Sequence, residues 1–341
     1  MLHSMHMLIR AFLDAIIPAA AAHEKWFVSE NPAAILPPQF VPGSLPFDIA
    51  SGAVIVVCVA GFLFDKAFEH SAFYARTEKI LRPWRDLAPG ILAVSTAVLL
   101  LWSAWKGVLL ADNYPLPAGT AGTLLRIAET AVGGMFLVGF GTATAAVGLG
   151  LLYASVITLF GLPEATEYLY LAAIAVFLMF FARGRYSLDW FYGKPVISTP
   201  EGRKKAYLVM RILTGFGFLA LALLKWRQPG MHLALMDEYD EWNPYVIAQW
   251  FGAAFSRETY VLILAAVETT VAVWVIGGFL TRAAALFLMP VFIGSIFFLG
   301  PMELVGHLPI LGILVVLFVY GDTYHKHAVE TPPPQPGAAR I

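Results

Sequence analysis

Two carboxylates set in apolar runs carry most of the chemistry open to this chain. Glu129 lies in Arg126-Ile127-Ala128-Glu129-Thr130-Ala131-Val132, and Glu268 in Ala265-Ala266-Val267-Glu268-Thr269-Thr270-Val271. An ionisable side chain at membrane depth is costly, so it faces inward and marks a site by default. Each carboxylate is followed by a Gly-Phe turn with threonine (Gly139-Phe140-Gly141-Thr142; Gly278-Phe279-Leu280-Thr281). Another apolar run, a Gly/Pro/Glu turn and a last apolar run come next. Near the start of that last run stands a second ionisable group, Glu167 in the first half and His307 in the second. Glu303 precedes His307 by one helical turn and shares its face.

A carboxylate and an imidazole facing one cavity can relay protons. We therefore read Glu268, His307 and Glu303 as a candidate catalytic group open to the outer side, with Glu129 as the counterpart of Glu268. At about 1.5 Å of rise per residue, Glu268 is expected about 13–15 Å below the outer surface and His307 at about half that depth. Structural readings compete. Glu268 can be a protonated group bonded to Thr269, Thr270 or a neighbouring helix. Glu129 can pair with Arg126 one turn away. Glu164 and Glu167 fit a solvated interface.

His23 opens a metal reading. Residues 1–22 resemble a weak secretory signal: Arg10 at the start, a short apolar stretch interrupted by Asp14, and Ala20-Ala21-Ala22 as a small-residue cleavage site. The alternative is an uncleaved anchor. Cleavage would make His23 an N-terminal residue able to chelate copper through its amine and ring, joined by His232 or His307 from the same side. His325 and His327 fall on the opposite side. The segment 226–257 joins His232 to Asp237-Glu238-Tyr239-Asp240-Glu241 and to Trp242, Tyr245, Trp250 and Phe251. Its spacing matches no metal loop, and it reads as an interfacial cap anchored by aromatics.

The elements that position these groups are membrane helices. Hydrophobic residues make up 59% of the chain and charged residues 13%, about half the charge of a soluble domain. Several apolar stretches reach the roughly 20 residues that span a bilayer. The alternating pattern of a membrane β-barrel is missing, so the fold class is all-α and polytopic. A net charge of −1 points to no nucleic-acid partner, and the single Cys58 excludes an intrachain disulfide and a CxxC pair.

Spans are expected near 48–64, 87–110, 121–138, 141–161, 166–182, 206–225, 258–279, 282–299 and 302–320. Lys66, Arg76, Lys79, Arg82 and Arg85 follow the first, and Arg183, Arg185, Lys194, Arg203, Lys204 and Lys205 follow the fifth. The excess of Lys and Arg makes both segments cytoplasmic, with the N-terminus outside and the C-terminus inside. The chain then divides into an external loop at 23–47, an extra span and cytoplasmic loop at 48–86, two tandem four-helix bundles at 87–205 and 206–322, and a polar tail at 323–341. Both units run the same way, so the repeat is parallel rather than inverted.

The second unit resembles the DoxX/DoxD family of four-helix membrane proteins. The resemblance rests on Arg211-Ile212-Leu213-Thr214-Gly215 opening one helix, Lys225 closing it, Val267-Glu268 in the next, and Gly277-Gly278-Phe279-Leu280-Thr281-Arg282-Ala283-Ala284 at the turn. The first unit departs from it, lacking a match to Arg211 and carrying Thr142-Ala143 in place of Thr281-Arg282. Its close, Gly184-Arg185-Tyr186-Ser187-Leu188-Asp189, fits again. The resemblance implies an inner-membrane, quinone-linked oxidoreductase subunit working with partner subunits of a redox complex. Two alternatives stand beside it: a non-enzymatic protein that binds or moves a small solute or copper, and an assembly partner of a membrane complex.

Overall fold

The computed structural model describes residues 40–184, 186–193, 198–238, 249, 252, 255–299 and 301–322. His23, the signal-like segment 1–22, the aromatic and acidic stretch from Tyr239 to Glu241 with Trp242 and Tyr245, and the tail beyond 322 lie outside them. Six helices are long and apolar enough to cross a membrane. They are α1 (Leu45–Phe68), α3 (Ala88–Lys106), α4 (Thr120–Val138), α5 (Thr142–Phe160), α7 (Pro200–Arg227) and α9 (Arg257–Gly277). Three more apolar helices stand among the described residues: α6 (Leu169–Phe181), α10 (Thr281–Leu299) and α11 (Pro301–Tyr320). Two polar-edged helices connect spans, α2 (Ala72–Leu81) and α8 (Pro229–Glu238). The chain is a multi-pass membrane protein whose environment is the lipid bilayer. Ile55, Val56 and Leu63 of α1 show the consequence, since all three are exposed on the outer face of the bundle.

Local signals set the helix ends. Ser44, Ser71, Thr199 and Ser256 accept the amide of the third residue beyond them, capping α1, α2, α7 and α9. Gly107, Gly139 and Gly278 close α3, α4 and α9 in the left-handed region. The two Gly-Phe turns are alike in detail. Gly139 and Gly278 both have φ 70°, and Gly141 and Leu280 have φ 59° and 52°. After each turn the next helix is capped by a distant carboxylate. Asp189 accepts from Gly141 and Thr142 at 2.9 Å each, and Asp322 accepts from Thr281 at 3.0 Å while Asp65 accepts from Leu280 at 3.2 Å. Negative charge at a helix N-terminus satisfies free amides and the helix dipole together.

The repeat units interlock. Within each unit, first packs on second and third on fourth: α3 on α4 and α5 on α6, then α7 on α9 and α10 on α11. The fourth helix of each unit then packs on the first helix of the other, α6 on α7 and α11 on α3. The eight helices thereby form a closed circuit, and one hydrophobic core runs through both units. α1 lies outside this circuit against α9, with Phe47 edge-on to Trp226 and Phe62 edge-on to Phe279.

Two segments differ from expectation. The span expected at 87–110 ends at Lys106, because Gly107 turns the chain and Leu110, at φ 63°, folds it back. Leu109 and Leu110, expected at the end of that span, and Ala111 and Tyr114, expected in the loop after it, are all buried inside the first unit. The span expected at 166–182 starts only at Leu169, after a short turn of helix at Leu162–Thr166. Glu167, expected to be solvated, is buried at 4% exposure beside Tyr168.

Candidate functional site

Glu268 is the first residue to follow. It sits in the middle of α9, and α7, the helix packed most closely on α9, ends with Lys225 at the same depth. Lys225 Nζ lies 3.1 Å from Glu268 Oε2. The contact is ionic and falls short of hydrogen-bond geometry, since Oε2 has no hydrogen-bond donor. Lys225 is sealed, with 8% of its side chain accessible, whereas Glu268 retains 25%. A ligand therefore meets this pair from the carboxylate side. The next residue on each helix closes the neighbouring surface: Trp226 Nε1 donates to Thr269 Oγ1 at 2.9 Å, and Thr269 Oγ1 donates to the Ala265 carbonyl at 2.7 Å. Above the pair sits a cap of Phe40, Met236, Val261 and Leu262. The cap is helical at α8, where the sequence shows an interfacial segment, and Arg257 pairs with Asp237 across it.

His307 is held elsewhere. Its Nδ1 is 3.1 Å from Ser295 Oγ, and the Phe292 ring meets it edge-on at 4.7 Å. Both partners are on α10. The helix of His307 packs on α3 and α10, and that of Glu268 mainly on α7 and α1, with a smaller contact on α10. Glu268 thus has Lys225 beside it, and His307 has Ser295. Glu303 is one turn before His307 on α11, and its side chain lies outside the described ones. His232 is half-buried on α8. Among the described residues no three His, Cys, Asp or Glu side chains gather as a metal site.

Glu129 is fully buried and takes a partner other than Arg126. Its Oε1 accepts the Leu110 amide at 2.6 Å, so the folded-back loop reaches the carboxylate. Arg126 does not pair with it; the guanidinium donates to the Trp105 carbonyl at 3.2 Å. Lys106, the counterpart of Lys225, turns outward over the Trp102 ring at 5.4 Å. The loop is held by Tyr114, whose hydroxyl donates to the Glu164 carbonyl at 2.7 Å, and by Asn113, which accepts from Tyr168 at 3.1 Å. Burial pushes the Tyr114 hydroxyl far up, and the Glu167 charge adds to it. It remains a donor at every physiological pH.

A third polar group escaped the sequence reading. At the end of the bundle that bears the Lys- and Arg-rich segments, Glu78 of α2 takes Arg85 on one oxygen and Arg282 on the other. Arg282 Nε also donates to the Phe318 carbonyl at 3.0 Å, and its guanidinium stands 5.3 Å from the Tyr74 ring. Tyr207 donates to the Gly321 carbonyl at 2.9 Å and Tyr320 to the Arg85 carbonyl at 3.0 Å. Burial pushes the Asp322 carboxyl up, while its Thr281 bonds and the nearby Arg211 and Arg282 pull it down. The available signal was the isolated Glu78 in a basic segment, which calls for a cation partner. Comparison with protein-family models, curated proteins and solved structures finds no match to this chain.

Proposed function

We propose that this chain is a DoxX-like inner-membrane protein that serves as a quinone-linked subunit of an oxidoreductase, with Lys225 and Glu268 handling protons. The observation that carries this reading is the Lys225–Glu268 pair, 3.1 Å apart and accessible on the acid side. In a medium of low dielectric such a pair exchanges a proton at little cost, because both the charged and the neutral forms sum to zero. The residues that carry the family resemblance support the same reading. Lys225, Glu268, Thr281 and Arg282 all make internal polar contacts.

A quinone reduced to quinol takes up two electrons and two protons. Lys225, sealed behind Glu268, keeps its charge against the carboxylate, and the accessible Glu268 meets one quinone carbonyl. Glu268 delivers one proton to that oxygen and is refilled from the outer side beneath the cap, and the second proton reaches the other oxygen from the aqueous phase. The electrons come from a partner subunit that oxidises the donor, since Cys58 offers no dithiol couple. His307, with Ser295 fixing its ring, serves a separate proton step.

The direct test is extraction of the full-length protein, purified in mild detergent from its own membranes, with redox-difference absorbance of the extract. Quinone in near-equal amount to protein is expected, and its loss in Glu268→Gln. A wild-type extract without quinone, from protein that also fails to oxidise quinol, would overturn the reading. Orientation is tested separately. Cysteine introduced at Ala118, in the loop between α3 and α4 that this topology puts outside, is expected to react with an impermeant maleimide in intact cells, and cysteine introduced at Ser71 is expected to react only after lysis. The reverse result would invert the topology and move the Lys225–Glu268 pair to the cytoplasmic side.

A further inference from the structure

We propose that Arg211 holds the phosphate oxyanion of an anionic membrane lipid at the basic end of the bundle, and that Arg183 forms the equivalent cradle in the first repeat. Arg211 is only 4% exposed on α7. Its guanidinium lies against Gly278, in the space that a Cβ there would fill. Gly278, with φ 70°, is thus demanded twice, by the turn and by the arginine. The Nε and Nη1 of Arg211 are shielded and find no acceptor among the described residues. Asp322 is close enough to act through its charge, but its oxygens are engaged by the Thr281 amide. Arg282 Nη1 is a further shielded donor with no acceptor beside the same turn.

The first repeat makes the same arrangement from different parts. Arg183, beyond the end of α6, lies against Gly139, also at φ 70°, and its Nε is shielded with no acceptor. Asp189 caps the following helix as Asp322 does. Two arginines from non-equivalent places in the chain, one on α7 and one beyond α6, brought to equivalent glycines, indicate a requirement at the turn itself.

Shielded guanidinium donors call for an oxyanion, and the planar fork of arginine matches phosphate. Both turns stand at helix ends, where lipid headgroups lie, and the second adjoins Arg282, which shares Glu78 with Arg85. Basic pockets between membrane helices take anionic headgroups. A free phosphate ion offers the same oxygens, so the experiment must separate the two sources.

The full-length protein is reconstituted into vesicles of equal phosphatidylglycerol and phosphatidylcholine, re-extracted in mild detergent, and its retained lipid measured by mass spectrometry. Wild type is expected to enrich phosphatidylglycerol. Arg211→Gln is expected to lower that enrichment about tenfold, the loss of one charge-assisted contact, with helicity by circular dichroism unchanged. Inorganic phosphate added in excess is expected to displace no lipid. If phosphate alone stabilises wild type against heating as well as phosphatidylglycerol does, and Arg211→Gln removes that effect, the cradle belongs to the free ion and the lipid assignment falls. Arg211→Lys and Arg183→Gln provide readings that do not depend on the folding of the first variant. Unchanged enrichment in both overturns the proposal.

Discussion

Lys225→Met is expected to lower the stability of the folded protein by about 3–5 kcal/mol, the usual cost of stranding one member of a buried charge pair. Glu268 would be left at membrane depth without its cation, 3.1 Å from where Nζ now stands. The companion variants divide the energetics from the chemistry. Glu268→Gln keeps the shape of the side chain but cannot titrate, so quinone-linked turnover is expected to fall by at least the 10²-fold typical of a lost proton donor. Lys225→Met with Glu268→Leu replaces both charges by apolar groups and is expected to recover most of the lost stability without recovering activity. Thermal unfolding in detergent, followed by the fluorescence of Trp226 and its neighbours, reads the first effect. If the double variant melts as early as Lys225→Met, the pair is not what stabilises the junction of α7 and α9.

Glu78→Ala is expected to have the second largest effect, also about 3–5 kcal/mol. One carboxylate serves two guanidiniums, and the side chains of Arg85 and Arg282 are only 7% and 10% exposed. Removing it leaves two like charges facing one another at the basic end, with burial to prevent full solvation by water. The damage should be local. α2 is short and polar-edged, and little apolar surface holds it in place. Hydrogen exchange over 72–86 is expected to speed up more than over α9 or α11, and trypsin is expected to cut after Arg76 or Lys79 first. Glu78→Gln keeps hydrogen-bond acceptance at one oxygen and should lose less. An unchanged exchange profile in Glu78→Ala would show that the cluster contributes nothing to the docking of α2.

The linear chain was enough to establish the class of the molecule and the axial position of most groups. Continuous apolar runs specify membrane helices, because every backbone polar group in lipid must be satisfied within the segment. The Gly-Phe turns were legible for a local reason, since left-handed residues favour glycine there. They also place Glu129 and Glu268 at matching depths. Partners were a different matter. Helical rise sets depth, but nearly uniformly apolar spans carry little signal for rotation about the axis or for the choice of neighbour. Glu268 therefore meets Lys225, since α7 is the helix beside it, and His307 meets Ser295 on α10. Glu129 meets Leu110 because Gly107 ends α3 early and the loop folds inward, an outcome of long-range packing around Tyr114 and Tyr168. Asp189 and Asp322 find their amides, and Glu78 its Arg282 guanidinium, across 41 to 204 residues of chain. No local pattern encodes such pairs. They exist because the interlocked units bring helix ends from both halves to one face, where a buried charge must take whatever opposite charge the fold supplies.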